Sequence, residues 1–234
     1  MSVPAPALDH LVVVASSLDE GVAWCEATLG ITPGPGGEHP LMGTHNRLFS
    51  IASDAFPGAY FEIIAIHSVA LQQALTGTSR WFDMDSPVLQ AQVAAYGPQL
   101  VHWVARVPDA AVACSQLATL GLDRGPVRAA SRETPHGTLQ WQISVRDDGQ
   151  RLLDGCLPTV IQWGEVHPTD RMPASGVQLQ TFSLQHPQAA LLGSAIAALG
   201  LQTPVAQGPA ALQVDLETPK GRVQLRSLPH ALAK

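Results

Sequence analysis

Three stretches of the chain each combine a strand-like pattern with a helix-like pattern. The strand-like runs begin at His10, Val101 and Gly176 and are β-branched or alternate between apolar and polar residues, which favours β-strands. The run that follows each of them has apolar residues at helical spacing and ends in Leu-Gly and a further apolar residue. Because glycine readily adopts the left-handed conformation at a helix end, the pattern predicts three helices that end at these glycines.

Each predicted helix is followed by further strand-like pieces that turn residues separate. Each unit therefore reads strand, helix, strand, strand, strand, and we predict an α+β fold built from repeated βαβββ modules. A connector at 67–99 separates the first two units, and Ser86-Pro87 indicates that it contains a short helix reaching about residue 95. The predicted modules are 1–66, 100–167 and a degenerate third module at 176–228.

Composition restricts the class of protein. Of the 234 residues, 46% are hydrophobic and 14% are charged, which is typical of a globular chain. The formal net charge of −6 argues against nucleic acid or an anionic membrane as a partner. The longest apolar stretch, 189–201, is too short to cross a bilayer, and the first residues show no secretory signal. Since the three cysteines are far apart, we predict a soluble cytoplasmic protein with free thiols.

One histidine and one glutamate stand on otherwise apolar strands. By strand alternation, His10 shares a face with Val12, and Glu62 shares a face with Ile64. Both faces of both strands are otherwise apolar, so a carboxylate there must be paired, bound to a metal or neutralised. We therefore predict that His10 and Glu62 form a pair, either as ligands of Zn, Fe, Mn, Co or Ni or as a purely structural hydrogen bond.

The second unit repeats the histidine. Seven residues lead from His102 to Asp109, which is predicted to cap the second helix, and seven lead from His10 to the first helix cap, Ser17. The matching spacing makes His102 the internal equivalent of His10. We predict that His102 is a further pocket or metal ligand; the alternative is a core histidine that other groups satisfy.

Several short motifs resemble the vicinal oxygen chelate superfamily, which includes glyoxalase I and extradiol dioxygenases. They are a strand opening Asp9-His10-Leu11-Val12-Val13, a capped helix ending Leu29-Gly30, and a closing strand with Glu62. The motifs similar to its glyoxalase-like domain branch are Gly43-Thr44-His45-Asn46, Leu157-Pro158 and Gln162-Trp163-Gly164. The resemblance implies paired βαβββ modules that curl into a half-open barrel around a small-molecule pocket. In many members, a divalent metal lies there on a histidine and a glutamate from each module.

The sequence departs from that metal pattern in its second module. The strand at 157–163 contains no acidic residue, and the best equivalent of Glu62 is Gln162, whose carbonyl is a weak, uncharged ligand. We predict a metal site on His10, Glu62, His102 and Gln162, with positions open for water or substrate. The third unit has glutamines where such ligands would stand, so we expect it to extend or cover the barrel or to support a homodimer.

Two residues are candidates for catalysis. Glu62 would act as general base in the absence of a metal, and His45, at the start of a strand, would contact the substrate unless it only caps a turn. We predict a glyoxalase- or dioxygenase-like enzyme of the lyase or isomerase class that acts on a small oxygenated metabolite. The alternative is a non-catalytic protein of the same fold that binds or sequesters a small molecule. The sequence leaves the substrate and the reaction open.

Overall fold

The first two units pair to form one strongly curled, eight-stranded sheet. The structure is a computed structural model that describes residues 5–67, 79–134 and 137–228. The elements of the first unit are β1 (Ala7–Val14), α1 (Leu18–Thr28), β2 (Glu38–His39), β3 (Thr44–Ser50) and β4 (Tyr60–Ile66). The connector contains α2 (Pro87–Tyr96), and the elements of the second unit are β5 (Gln99–Arg106), α3 (Ala110–Ala118), β6 (Val127–Thr134), β7 (Gly137–Ser144) and β8 (Thr159–Trp163).

The two units arrange the strands of their halves of the sheet in the same way. Across the sheet the order is β2-β3-β4-β1-β5-β8-β7-β6, so the last strand of each unit lies beside its first strand. Both of these pairs are parallel, with Val12 opposite Glu62 and Val104 opposite Thr159. Strands β1 and β5 pair antiparallel and join the two halves. The predicted fold class, with paired βαβββ modules in a half-open barrel, is confirmed.

The third unit keeps the predicted order of elements but pairs its strands differently. Its elements are β9 (Gln178–His186), α4 (Ala189–Ala198), β10 (Val205–Gln207), β11 (Ala211–Thr218) and β12 (Gly221–Arg226). They form a separate sheet in the order β10-β9-β11-β12, so the strand that follows the helix lies at the outer edge, beside β9. The expectation of three copies of one plan therefore applies to the first two units only.

The third unit covers the outer face of the large sheet. Trp103 of β5 is fully buried and meets Phe182 of β9 edge-on, with 4.9 Å between the ring centroids. One continuous apolar cluster contains residues of both sheets and of α1, α3 and α4. Of the two roles expected for this unit, the structure shows that of a cover, and homodimer formation stays a prediction.

The connector packs against the inner face of the curled sheet. Helix α2 occupies the predicted position, and residues 68–78 of the connector lie outside the described ranges. A second apolar cluster joins the connector to the inner face of the sheet, and it includes Phe82, Met84, Leu89 and Val93 with Val12, Ile64 and Val104. The division of the chain at the predicted module boundaries stays a proposal.

Local signals place the helices where the sequence predicts them. The Ser17 side chain accepts a hydrogen bond from the Glu20 amide (3.1 Å), and the Asp109 side chain accepts one from the Val112 amide (2.9 Å). The glycines after α1, α3 and α4 have φ angles of 76°, 75° and 72°. These angles are the left-handed helix exits that the Leu-Gly motifs predict.

All three cysteines are free thiols, as the sequence predicts. Burial raises the pKa of Cys25 and of Cys156 to about 12, so neither is a reactive thiolate at neutral pH. Within the described ranges, no helix combines the length and the apolar character that a membrane span requires. The cytoplasmic location stays a prediction.

Candidate functional site

The inner side of the curled sheet borders a cleft with a volume of about 870 Å³. The cleft lies between the short turn Pro40–Met42 of the first unit and strands β6, β7 and β8 of the second. Aromatic and cationic side chains are prominent in its wall, among them Trp81, Trp141, Trp163, His39, Arg128 and Arg132. Its size and its mixture of apolar and polar groups match pockets that bind small molecules.

Three polar side chains form a row behind the wall of this cleft, and we call them the Asp9–His10–Glu62 row. Nδ1 of His10 is 2.7 Å from Oδ1 of Asp9, and Nε2 of His10 is 3.6 Å from Oε2 of Glu62. Asp9 is fully buried, and His10 and Glu62 are each 5% exposed. Trp163 lines the cleft and donates its indole N–H to Asp9 (3.0 Å), so the row lies one side chain behind the cleft wall. The structure thus brings His10 and Glu62 together.

Asp9 orients His10. Burial raises the pKa of Asp9, but hydrogen bonds from His10 and His167 outweigh this effect and hold that pKa well below its usual value. Asp9 is therefore a carboxylate, and Nδ1 of His10 carries the proton that it donates to Asp9. Nε2 of His10 is left facing Glu62. The sequence contained one signal for Asp9, its position beside His10 in the Asp-His motif.

Asn46, and not His45, contacts Glu62. The Asn46 side-chain nitrogen donates to Oε1 of Glu62 (2.6 Å), and its side-chain oxygen accepts from the backbone N–H of Gly37 (2.7 Å). The pairing of β3 with β4 puts Asn46 on the inner face and His45 on the outer face. The ring of His45 meets that of His67 edge-on there, with 4.5 Å between the centroids. We expected His45 to occupy the inner position, but Asn46 occupies it.

His102 lies in the second unit with both ring nitrogens already used. Its Nδ1 donates to the Gly155 carbonyl (3.0 Å), and its Nε2 accepts from the backbone N–H of Thr159 (3.1 Å). The ring is fully buried beside Phe82, with 5.1 Å between the centroids. Burial, with the nearby Arg124, lowers the pKa of His102 well below its usual value, so the ring is neutral. This arrangement matches the alternative that the sequence left open, a core histidine whose hydrogen bonds are satisfied by other groups.

The second unit's equivalent of Glu62 is Thr159. Glu62 is opposite the residue two places after His10 in the β1–β4 pair. Thr159 is opposite the residue two places after His102 in the β5–β8 pair, and its hydroxyl oxygen lies 3.0 Å from Nε2 of His102. The two units therefore match in register. The second unit has a neutral hydroxyl where the first unit has a carboxylate.

The structure places Gln162 away from His102. Its side-chain oxygen accepts a hydrogen bond from the Ala110 N–H (3.0 Å) at the start of α3, although the residue also borders the cleft. Matching Gln162 to Glu62 displaces the strand by three residues relative to the observed match at Thr159. Because side chains alternate along a strand, an odd displacement moves a residue to the opposite face.

The structure therefore brings two of the four predicted metal ligands together and places the other two elsewhere. Nε2 of His10 and Oε2 of Glu62, 3.6 Å apart, are close enough to share an ion. His102 and Gln162 direct their polar atoms to other partners. Among the residues that the structure describes, no group of three or more His, Cys, Asp or Glu side chains is arranged to hold a metal. Because a resident divalent ion normally takes three or four protein ligands, the residues present do not fit one.

Arg132 adds positive charge to the same part of the cleft. It extends from β6 towards the first unit, where a Cβ atom at Gly37 would lie 1.8 Å from its Nη1. Arg132 and Glu62 both act electrostatically on His39 and on Tyr60, so the two charges lie near each other. Burial lowers the pKa of His39 to about 4, so His39 is neutral at pH 7. No motif marks Arg132 in the sequence, since only the curvature of the sheet brings β6 to the first unit.

Comparison with known proteins agrees with this architecture. The glyoxalase-like domain family matches residues 8–200. A solved structure of a hypothetical protein from Staphylococcus aureus is 16% identical, and the match covers 94% of this chain and 85% of that chain with a TM-score of 0.52. The methylmalonyl-CoA epimerase of Mycobacterium tuberculosis is 17% identical, covering 67% of this chain and 86% of that chain with a TM-score of 0.37.

A third solved structure matches at a similarly low sequence identity. A methylmalonyl-CoA epimerase of Streptomyces coelicolor, solved in complex with 2-nitronate-propionyl-CoA, is 15% identical, covering 70% of this chain and 99% of that chain with a TM-score of 0.41. The curated proteins include no match. Similarity to the Staphylococcus aureus structure supports the fold, and the family match extends over most of the chain. The chain therefore belongs to the glyoxalase-like domain family of the vicinal oxygen chelate superfamily.

Proposed function

We propose that the protein is an enzyme that transfers a proton at a carbon atom next to the carbonyl group of a small anionic metabolite. The observation that carries this proposal is the Asp9–His10–Glu62 row directly behind the wall of the cleft, where Trp163 joins it to the cleft. A buried carboxylate, an oriented imidazole and a second carboxylate in sequence are groups that hold and move protons. Arg132 supports an anionic substrate because its guanidinium can bind a carboxylate with two parallel hydrogen bonds.

The Asp9–His10–Glu62 row is suited to carry one mobile proton. With the Nδ1 proton of His10 donated to Asp9, Nε2 and Oε2 of Glu62 face each other at 3.6 Å as two acceptors. Either atom can accept a proton that the substrate releases. Asn46 holds the other oxygen of Glu62 in place, so the orientation of the carboxylate does not depend on the proton.

The proposed reaction involves proton transfer without oxidation or reduction. Glu62 removes the proton from the carbon atom, and the electron pair of the C–H bond moves to the carbonyl oxygen to form an enolate. The His10–Glu62 pair then returns the proton to the substrate, and Arg132 keeps its anionic group in place. This scheme falls within the isomerase or lyase class predicted from the sequence.

Hydrogen–deuterium exchange tests the proposal. In D₂O, the purified protein is expected to accelerate exchange of the C–H proton next to the carbonyl in at least one member of a panel of small oxo acids, followed by proton NMR. Binding of each compound is measured separately by the rise in melting temperature. A compound that binds but exchanges no faster than in buffer argues against catalysis.

Non-catalytic binding is the second candidate function. The observation that favours it is the small exposure of His10 and Glu62, 5% each, beside a large cleft that contains Trp81, Trp141 and Trp163. Aromatic walls of this kind bind flat or apolar ligands through their area rather than through acid–base groups. For this function, ligands that raise the melting temperature leave the cleft chemically unchanged, and Glu62→Gln binds them as well as the wild type does.

Replacing Arg132 with glutamine is expected to raise KM for an anionic substrate about 10–100-fold with little change in kcat. This range corresponds to the loss of a hydrogen bond to a charged group, about 1.5–3 kcal/mol. Steady-state kinetics on the compound identified by exchange measures both constants. Arg47→Gln is the matched control, because Arg47 is exposed on β3 outside the cleft. An unchanged KM in Arg132→Gln contradicts the role of Arg132.

Removal of divalent metal is expected to leave the melting temperature unchanged. The reason is that His10 and Glu62 are the two predicted ligands with atoms directed at each other, while His102 and Gln162 are bonded elsewhere. Elemental analysis of protein purified without chelators is expected to find less than one metal ion per chain, and dialysis against EDTA is the accompanying stability measurement. One equivalent of metal that is lost in His10→Ala refutes this expectation and restores the metal site predicted from the sequence.

A further inference from the structure

Arg124 places a positive charge in the interior of the second unit. The residue is 3% exposed. Its Nη2 donates to the hydroxyl of Thr159 (2.5 Å), whereas Nε and Nη1 have no hydrogen-bond partner among the described residues. Burial lowers the pKa of Arg124 to about 10, so the guanidinium stays charged at pH 7. A buried charge in this state is strongly unfavourable unless something compensates it.

The described ranges contain all 19 Asp and Glu residues of the chain, and none of them hydrogen-bonds to Arg124. Cys114 also lies near the guanidinium, but burial raises the pKa of its thiol, so it supplies no negative charge at pH 7. Asp123 and Asp148 attract the guanidinium from a distance, and Arg146 repels it. Asp148 is paired with Arg146 (2.5 Å), and the side chain of Asp123 is 83% exposed. A close counter-charge for Arg124 therefore has to come from outside the chain's own acidic side chains.

Arg124 lines a small cavity of about 10 Å³. On this measure about 10–15 Å³ holds one water molecule, so the cavity has room for a single atom-sized occupant. Trp81, His102 and Ser144 lie in the same wall. The indole N–H of Trp81 is also buried without a partner among the described residues. Two side chains therefore present unused hydrogen-bond donors at one cavity.

Two acceptors in the cavity wall already have donors. Nε2 of His102 accepts from the N–H of Thr159 (3.1 Å), and the hydroxyl of Ser144 accepts from a backbone amide (3.2 Å). Arg146 and Arg151 also line the cavity and add positive charge to its wall. A water molecule would satisfy the free donors but would leave the charge of Arg124 uncompensated. An anion does both.

We propose that this cavity binds one monatomic, monovalent anion of the size of chloride, through the guanidinium of Arg124 and the indole N–H of Trp81. The inference does not depend on the proposed function. Because Trp81 also lines the large cleft, the anion lies beside the cleft on the second unit's side. There it supplies the negative charge that the second unit lacks, since Thr159 stands where the first unit has Glu62.

Thermal unfolding in different sodium salts at equal ionic strength tests the site. Chloride and bromide are expected to raise the melting temperature relative to formate and gluconate, which are too large for the cavity. The expected rise is about 3–6 °C at ten times the dissociation constant. A rise with chloride and bromide but not with formate supports a site for a monatomic anion. The absence of a saturable rise with chloride and bromide, or a rise with formate alone, overturns the proposal.

Variants and diffraction locate the effect. Arg124→Gln is expected to abolish the rise, and Trp81→Phe, which keeps a ring but lacks the donor, is expected to weaken anion binding about 5–10-fold. Arg222→Gln is the matched control, because Arg222 is an exposed arginine of the third unit paired with Asp215 (3.2 Å), and it keeps the full rise. Bromide in crystals of the wild type is expected to give an anomalous peak beside Arg124, whether or not the variants fold. A full rise in Arg124→Gln, or bromide peaks only at other places, contradicts the assignment.

Discussion

Replacing Glu62 with glutamine is expected to slow the catalysed proton exchange by about 10²–10⁴-fold, which is the usual loss when a general base is removed. Glutamine keeps the shape of the side chain and can still accept the hydrogen bond from Asn46, which is 2.6 Å long in the wild type. It has no carboxylate to share a proton with His10. Exchange rates measured by proton NMR at saturating substrate check this prediction.

The matched control for Glu62→Gln is Glu38→Gln. Glu38 also lines the cleft, but its side chain is 61% exposed. The control is expected to exchange protons at the wild-type rate, because Glu38 lies outside the Asp9–His10–Glu62 row. Melting temperatures are the check that both variants are folded. Wild-type exchange in Glu62→Gln would refute the role of Glu62 as the base.

Replacing Asp9 with asparagine is expected to lower the free energy of unfolding by about 3–5 kcal/mol, the range for breaking a buried charged pair. Asp9 is fully buried and accepts hydrogen bonds from His10 (2.7 Å), His167 (2.9 Å) and Trp163 (3.0 Å). Asparagine offers one acceptor oxygen in place of two. Its side-chain NH₂ group would face donors and could not accept their hydrogen bonds. Urea unfolding at pH 7 measures the loss. Asp54→Asn, at an exposed position, is the control and is expected to change stability by less than about 0.5 kcal/mol.

The low pKa of Asp9 also predicts how stability depends on pH. Its pKa is lower in the folded state than in the unfolded chain, where it is about 3.9. The unfolded state therefore binds more protons below about pH 4, and the stability that Asp9 contributes is complete above that value and is lost as the pH falls towards the folded-state pKa. We expect the stability of the wild type to fall below about pH 4 and that of Asp9→Asn to fall less steeply. Parallel curves for the two proteins contradict this account.

The paired architecture was predictable because it depends on local patterns. Strand alternation, helical spacing and the Leu-Gly exits are properties of neighbouring residues, and they repeat in each unit. The match between His10 and His102 was likewise readable from equal spacing to the helix caps at Ser17 and Asp109. The different pairing in the third unit was not predictable, because the same order of elements allows the strand after the helix to pair on either side.

The site was harder to predict because each contact depends on strand register. A β-bulge at Asp9 disturbs the alternation of β1 where that strand pairs with β5. In a regular strand, adjacent side chains point to opposite faces, whereas here Asp9 and His10 are 2.7 Å apart. The choice between His45 and Asn46, and that between Gln162 and Thr159, each depended on a register that no local pattern specifies.

The sequence by itself determined the elements, the two matched histidines and the glutamate buried beside the first of them. Burial patterns and spacing can be read directly from the order of residues. Only the tertiary structure decided the partners of those groups. Asp9 reaches His10 through a bulge, Arg132 reaches the first unit through the curvature of the sheet, and Thr159 replaces a carboxylate through the register of β8. The physical reason is that secondary structure follows from nearest neighbours, whereas a contact between distant residues depends on register and curvature, which the packing of the whole sheet sets.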